Sequence, residues 1–211
     1  MSRQSAVNTD PLGWKMREAR ECATRASAVS TILEETSVNI EIIEARPQDQ
    51  SILSHLIELY LYDFSEFMGW DVGNDGRFGD DGLKGCWTEP WRHPFLVKVD
   101  GSLAGFVIAD GRSQLSGDEH TMDMGEFFIL RKYRRQGIGY RVASFIFDLF
   151  PSKWEVRQLA LNVDAQTFWR KVINRYTNNQ FYEISWNNEH YCGVAQLFNN
   201  TIKTPTQLVR V

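Results

Sequence analysis

The apolar positions along the chain change period several times, and each change marks an element. Ile40, Ile42 and Ile43 form a β-branched run, read as a strand. Pro47 suits a first helical turn, and Ile52, Leu53, Leu56, Ile57, Leu59 and Tyr60 recur after it at helical spacing, to about Tyr62. Residues 63–92 lose this period and mix Gly, Asp and aromatics, which predicts a long loop with one short helix at most. Phe95 to Val99 and Leu103 to Ala109 flank Asp100-Gly101, a dipeptide that supplies the positive φ angles of a type I′ hairpin. Met122 to Leu130 predicts a strand. Its run Phe127 to Leu130 is apolar on both faces, as a central strand requires. Ile138, Val142, Phe145, Ile146 and Leu149 mark one face of a helix that Pro151 ends. Val156 to Asn162 reads as a strand, Ala165 to about Tyr176 as a helix. Phe181 to Trp186 and Tyr191 to Phe198 read as a hairpin turning at Asn187-Asn188-Glu189. This order predicts an α/β (α+β) fold with a mixed sheet and helices on its faces.

Composition sets the boundaries. The 211 residues suit one domain plus an extension. The chain has 7 Trp, 7 Tyr and 13 Phe, yet Trp14 is the one aromatic residue before position 38. Residues 1–37 are therefore expected to be an N-terminal extension, helical over 15–35 or disordered. The domain is expected at 38–199, followed by a polar tail at 200–211. Twenty-three Lys and Arg oppose 27 Asp and Glu, a formal charge of −4, so no global pull toward nucleic acid or an anionic membrane follows. Cys22, Cys86 and Cys192 form no CxxC pair and the four histidines stand singly, which argues against a disulfide framework or a metal site. No apolar run approaches the roughly 18 residues of a membrane span. No apolar stretch of a secretory signal follows Arg3, so the cytoplasm is the expected compartment.

The strongest chemical signal is the stretch Ile129-Leu130-Arg131-Lys132-Tyr133-Arg134-Arg135-Gln136-Gly137-Ile138-Gly139, which follows a strand and opens a helix. A helix start exposes backbone N–H groups at the positive end of the macrodipole. Gly137 and Gly139 let a phosphate approach that backbone, and Arg134 and Arg135 can add charge-assisted contacts. The two glycines are too few for a dinucleotide fingerprint, and no Gly-Lys-Ser/Thr makes it a P-loop. The reading is a pyrophosphate cradle at 134–140. A basic nucleic-acid patch built on Arg131, Lys132, Arg134, Arg135 and Arg141 is the alternative.

The segment Arg134-Arg135-Gln136-Gly137-Ile138-Gly139 resembles the R/Q-x-x-G-x-G/A motif of the GNAT superfamily, the acetyl-CoA-dependent N-acetyltransferases. Arg131 departs from that pattern by standing where the family often has proline. A second segment, Asn162, Ala165, Phe168 and Trp169, resembles the family's N-x-x-A-x-x-F-Y, and lies 23 residues beyond Gly139, the length of one helix plus one strand. The resemblance implies a centrally splayed sheet that holds acetyl-CoA between two parallel strands. It implies that backbone of Phe128 and Ile129 meets the pantetheine, and that Arg134, Arg135, Gln136, Gly137, Ile138 and Gly139 hold the pyrophosphate. Asn162, Phe168 and Trp169 would border the cofactor on its other side.

The implied reaction is transfer of an acetyl group from acetyl-CoA to a primary amine of a small molecule or protein. Glu126 is the candidate base, since the attacking amine must be neutral. Trp169 stands where many members carry an acidic tyrosine, which leaves Tyr140, Tyr176 or Tyr182 as substitutes, or protonation by water. It also leaves open a non-catalytic acyl-CoA-binding regulatory module. The acceptor is expected at loop 63–92, where Trp70, Trp87 and Trp91 stand among seven acids, a mixture that suits a cationic amine. Neither a metal, a nucleic acid nor a membrane is an expected partner. A homodimer through a sheet edge or a helix stays open.

Overall fold

The computed structural model describes residues 38–79, 83, 85–187 and 192–201. The extension, the last hairpin's turn and the end of the tail lie outside these residues. In chain order the elements are β1 (Ile40–Glu44), α1 (Gln50–Met68), β2 (Arg92–Val99), β3 (Ser102–Asp110), β4 (Thr121–Ile129), α2 (Ile138–Leu149), β5 (Lys153–Leu159), α3 (Val163–Thr177), β6 (Tyr182–Asn187) and β7 (Cys192–Asn199). Short 3-10 turns at Pro47–Asp49 and Arg131–Tyr133 lead toward α1 and α2.

The order of elements is as the apolar pattern predicts, with differences in extent at α1, at β2, which begins at Arg92, and at β5, which ends at Leu159. Helix α1 runs six residues past Tyr62, because Tyr60, Phe64 and Phe67 continue its period and pack ring on ring at centroid distances of 4.5 and 5.0 Å. It stops at Gly69 in the left-handed region (φ 67°). Strand β5 begins three residues before Val156, because Trp154 is an inward-facing core residue with 1% of its surface exposed. Asp100 and Gly101 carry the two positive φ angles (49° and 75°) that the hairpin requires.

The seven strands form one mixed sheet in the order β1-β2-β3-β4-β5-β7-β6. Every neighbouring pair is antiparallel except β4 and β5. Helix α1 covers one face, burying Leu53, Leu56 and Ile57 against Leu96, Phe106, Ile108 and Phe128. Helices α2 and α3 bring Phe147 and Trp169 to the other face, where Phe147 packs on Trp154 and Phe198 at 4.9 Å each. Among the described residues no helix is long and apolar enough to cross a membrane.

Two irregularities shape the middle of the sheet. The β3–β4 register shifts where Gly125 is the extra residue, a bulge that bends β4. Near the other end, β3 approaches β4 so closely that a Cβ on Gly105 would stand 2.0 Å from the Phe128 carbonyl oxygen.

Candidate active site

The parallel pairing of β4 and β5 runs from Thr121↔Lys153 through Met122↔Trp154 to Asp123↔Glu155 and stops there. Beyond the bulge the strands separate, while β3 stays paired to β4 as far as Ile129. Leu130 donates its N–H to Ala104. Counting back by the antiparallel alternation, Phe128 exchanges backbone bonds with Phe106, and the backbone groups of Phe127 and Ile129 face the opening. Strand backbone that no neighbouring strand pairs, here the N–H and C=O of Phe127 and the N–H of Ile129, can bond an extended amide chain.

A buried ionic clasp holds the closed end. Arg157 of β5 donates to both carboxylate oxygens of Asp123, at 3.2 and 2.7 Å. Burial pushes the Asp123 carboxyl up to about 7 against the pull of Arg157, and Glu155 and Asp110 nearby add to the rise. Glu155 in turn accepts from the Ser113 hydroxyl and the Gln114 and Leu115 amides. Arg92 pairs with Asp110 at 3.0 Å.

At the open end, turn 134–137 leads into α2. Arg135 (φ 62°) and Gly137 (φ 76°) both adopt left-handed conformations, rare for arginine and ordinary for glycine. The first intrahelical bond is donated by Arg141 to the Gly137 carbonyl. The amides of Ile138, Gly139 and Tyr140 therefore precede the helical ladder and point out of the helix start. Phe168 of α3 lies against Gly139, with ring atoms 3.0 Å from where a Cβ would stand. Arg134 is turned the other way: its Nε donates to the Ile129 carbonyl at 2.6 Å and its guanidinium pairs with Asp63 of α1.

On the α1 face, a cleft of about 480 Å³ is lined by Ile57, Tyr60, Leu61, Gly69, Trp70, Asp71, Phe78, Gly79 and Glu126. Glu126 stands just past the bulge. The Tyr60 hydroxyl donates to its Oε2 at 2.5 Å. Burial raises the Glu126 pKa above the ordinary carboxylate value. The Tyr60 hydrogen bond, Arg157 and Arg92 pull it down, and Asp110 raises it. A desolvated carboxylate held in a cleft by a hydroxyl donor is poised to take a proton.

The sequence matches the Acetyltransferase (GNAT) family over residues 51–174, more than half of the chain. The chain belongs to that family. No curated protein matches it in sequence. Solved structures share the fold. An acetyltransferase from Thermus thermophilus is 11% identical, with 76% of this chain and 97% of that one covered at a TM-score of 0.56. The ribosomal-protein-S18-alanine N-acetyltransferase from Escherichia coli is 12% identical, with 80% and 99% covered at 0.52. The spermidine N-acetyltransferase from Vibrio cholerae, solved with CoA and spermine, is 10% identical, with 77% and 96% covered at 0.53.

Within this GNAT fold, several residues read from the sequence take other places than anticipated. The register turns the backbone of Phe128 toward β3, so Phe127 and Ile129 flank the opening instead of Phe128 and Ile129. Asn162 caps α3, accepting from the Ala165 amide at 3.1 Å. Trp169 is buried against Phe127, Phe147 and Phe168. Gln136 ties the turn together by donating to the Lys132 carbonyl. Arg135, Gly137, Ile138 and Gly139 stand at the start of α2, with Ile138 buried beneath it. Of the three tryptophans, Trp70 lines the cleft. Trp87 packs against the core beside α1, and Trp91 donates its ring N–H to Glu89. Among the substitute acids, Tyr176 donates to Asp148 and its pKa is raised by burial, whereas Tyr182 is exposed on the edge strand β6. Tyr60 is the cleft residue the sequence hid. It reads there as one more apolar position of α1, and its partner is 66 residues away.

Proposed function

We propose that the protein is an N-acetyltransferase that moves an acetyl group from acetyl-CoA to a primary amine. The observation that carries this reading is the Tyr60–Glu126 pair, set in a cleft on the same stretch of β4 that lies unpaired beside β5. The fit to acetyl-CoA rests on two features. The left-handed turn and the unladdered amides at the start of α2 suit a pyrophosphate. The outward backbone of Phe127 suits a pantetheine amide.

Acetyl-CoA supplies the acyl group as a thioester: the amine nitrogen forms the new C–N bond, the C–S bond breaks, and the sulfur leaves with its electron pair. An acceptor arriving as an ammonium gives up two protons. Glu126 takes the first, which makes the nitrogen lone pair available, and passes it to solvent. The second follows the electron pair to the departing sulfur. The Ile129 N–H faces the opening and is placed to receive the charge that develops on the acyl oxygen. Tyr60 keeps the Glu126 carboxylate oriented and limits how far burial raises its pKa.

The spermidine and ribosomal-protein enzymes that share the fold support an amine acceptor in general and do not choose among classes. A non-catalytic acyl-CoA-binding module is the second reading, since Trp169 offers no acid for the leaving sulfur. The titratable pair in the cleft favours catalysis. The test is release of CoA thiol from acetyl-CoA across an amine panel, with Glu126→Gln as the control. Loss of about 10²–10⁴-fold in kcat with unchanged acetyl-CoA binding is the expected result. Binding of acetyl-CoA by calorimetry without turnover of any amine would favour the module.

A further inference from the structure

The region around the cleft is rich in acids, and several of the described ones are occupied in building it. The Glu58 carboxylate accepts from the Phe78 and Gly79 amides at 2.8 and 3.0 Å and from Arg77 at 3.3 Å. It thereby folds the loop after α1 back onto that helix. Asp63 holds Arg131 and Arg134. Asp75 accepts from the Arg77 amide and Glu89 from the Trp91 ring. Part of the acidity that suggests a cationic amine is thus structural.

What faces the cleft is different. Among the described residues that line it there is no cation. Its carboxylates are Glu126 and the exposed Asp71. The remaining side chains are Ile57, Tyr60, Leu61, Trp70 and Phe78, all apolar or aromatic. Trp70 is braced from behind, its ring stacked on Phe64 at 6.3 Å with only 15° between the planes. An indole held in this way presents a fixed surface at little entropic cost.

Resting on the acetyltransferase reading above, we infer that the acceptor is a primary monoamine with an aromatic or bulky apolar body, its nitrogen at Glu126 and its body against Trp70 and Phe78. A polyamine or an aminoglycoside would carry further ammonium groups into this cleft. Among the described lining residues, ammonium groups beyond the one at Asp71 would give up hydration against Ile57, Leu61 and Phe78 and meet no carboxylate but Glu126. A monoamine leaves no charge behind: its single cation meets the buried carboxylate, and its body removes apolar surface from water.

The test compares 2-phenylethylamine, n-butylamine, spermidine and kanamycin as acceptors on the intact protein, following thiol release, with acetyl-CoA affinity measured separately by calorimetry. The expected order places 2-phenylethylamine first, with kcat/KM about tenfold or more above spermidine and kanamycin. Trp70→Ala should raise KM for 2-phenylethylamine by about tenfold and leave kcat within about threefold. Phe78→Ala gives a second variant, with the same KM signature, should Trp70→Ala fold poorly. Spermidine or kanamycin equalling 2-phenylethylamine overturns the inference and spares the acetyltransferase reading. So does turnover of all four amines with KM values that neither variant changes. Absence of acetyl-CoA binding overturns the acetyltransferase reading beneath it.

Discussion

Replacing Gly105 by alanine would add one methyl group and disturb the site through β4 backbone alone. The new Cβ would stand 2.0 Å from the Phe128 carbonyl oxygen, 3.0 Å from its carbonyl carbon and 3.1 Å from the Ile129 Cα. Real Cβ atoms keep at least 3.0 Å, and the obstacle is backbone that cannot rotate away, so β3 and β4 must part by about 1 Å. Overpacking of this kind costs about 1–3 kcal/mol, and a backbone obstacle belongs at the upper end. At about 2–4 °C per kcal/mol, thermal unfolding should fall by about 6–12 °C. Ile129 carries the N–H that faces the opening, and a displacement of about 1 Å there should lower kcat/KM by about 10²-fold. Calorimetric melting and thiol release read the two effects. Gly101→Ala is the matched control. Gly101 has a positive φ of 75° and nothing within 4 Å of the added methyl, so it should lose about 1–2 kcal/mol to backbone strain and keep its activity. A Gly105→Ala protein with unchanged melting and activity would refute the register on which the placement of Ile129 depends.

Other outcomes follow from the same geometry. Tyr60→Phe removes the hydrogen bond that holds the Glu126 pKa down, so the acidic limb of kcat/KM should move to higher pH, and Glu126→Gln should abolish that limb. A limb that stays in place would separate Tyr60 from the base. Gly137→Asp should weaken CoA binding by at least about tenfold, more than Gly137→Ala does. Both variants meet the same left-handed backbone, and only aspartate adds a negative charge where the phosphate would sit. Equal affinities, measured by calorimetry, would remove the pyrophosphate from this turn. The Asp123 carboxyl releases its proton at about 7 when folded and near its ordinary 3.8 when unfolded. Between these values the folded chain binds more protons, so this group's contribution to stability declines as pH rises from about 4 to about 7. Asp123→Asn should flatten that part of the profile in denaturant titrations, and an unchanged slope would assign it to other groups.

Local signals carried much of the fold. The Asp100-Gly101 turn, the break at Pro151 and the helix opening after Gly137 each depend on a few neighbouring residues, and each stands where its chemistry places it. Distant pairings were the difficult part. Whether Phe127 or Phe128 turns its backbone outward depends on the parity of the β3–β4 register, and the extra residue at Gly125 reverses that parity along the strand. Asn162 and Trp169 occupy positions of a recognisable motif, yet a helix cap and an aromatic core already account for them. Trp87 resembles Trp70 in sequence surroundings. Only the packing around α1 tells the buried ring from the one in the cleft. The acids from Glu58 onward could be counted in advance, but the engagement of Glu58 and Asp63 of α1 with loop amides and arginines could not.

The three-pair junction between β4 and β5 also has a mechanical meaning. A sheet of seven strands is here two smaller ribbons, β1–β4 and β5–β7, riveted at one end by the Asp123–Arg157 clasp. Among the described residues, these three pairs are the strand ladder that crosses the seam. A pantetheine chain lying in the open end would act as a splint along the seam. Amide protons of Phe127 and Ile129 should then exchange more slowly with CoA bound, while those within the β2–β3 hairpin, remote from the seam, keep their rates.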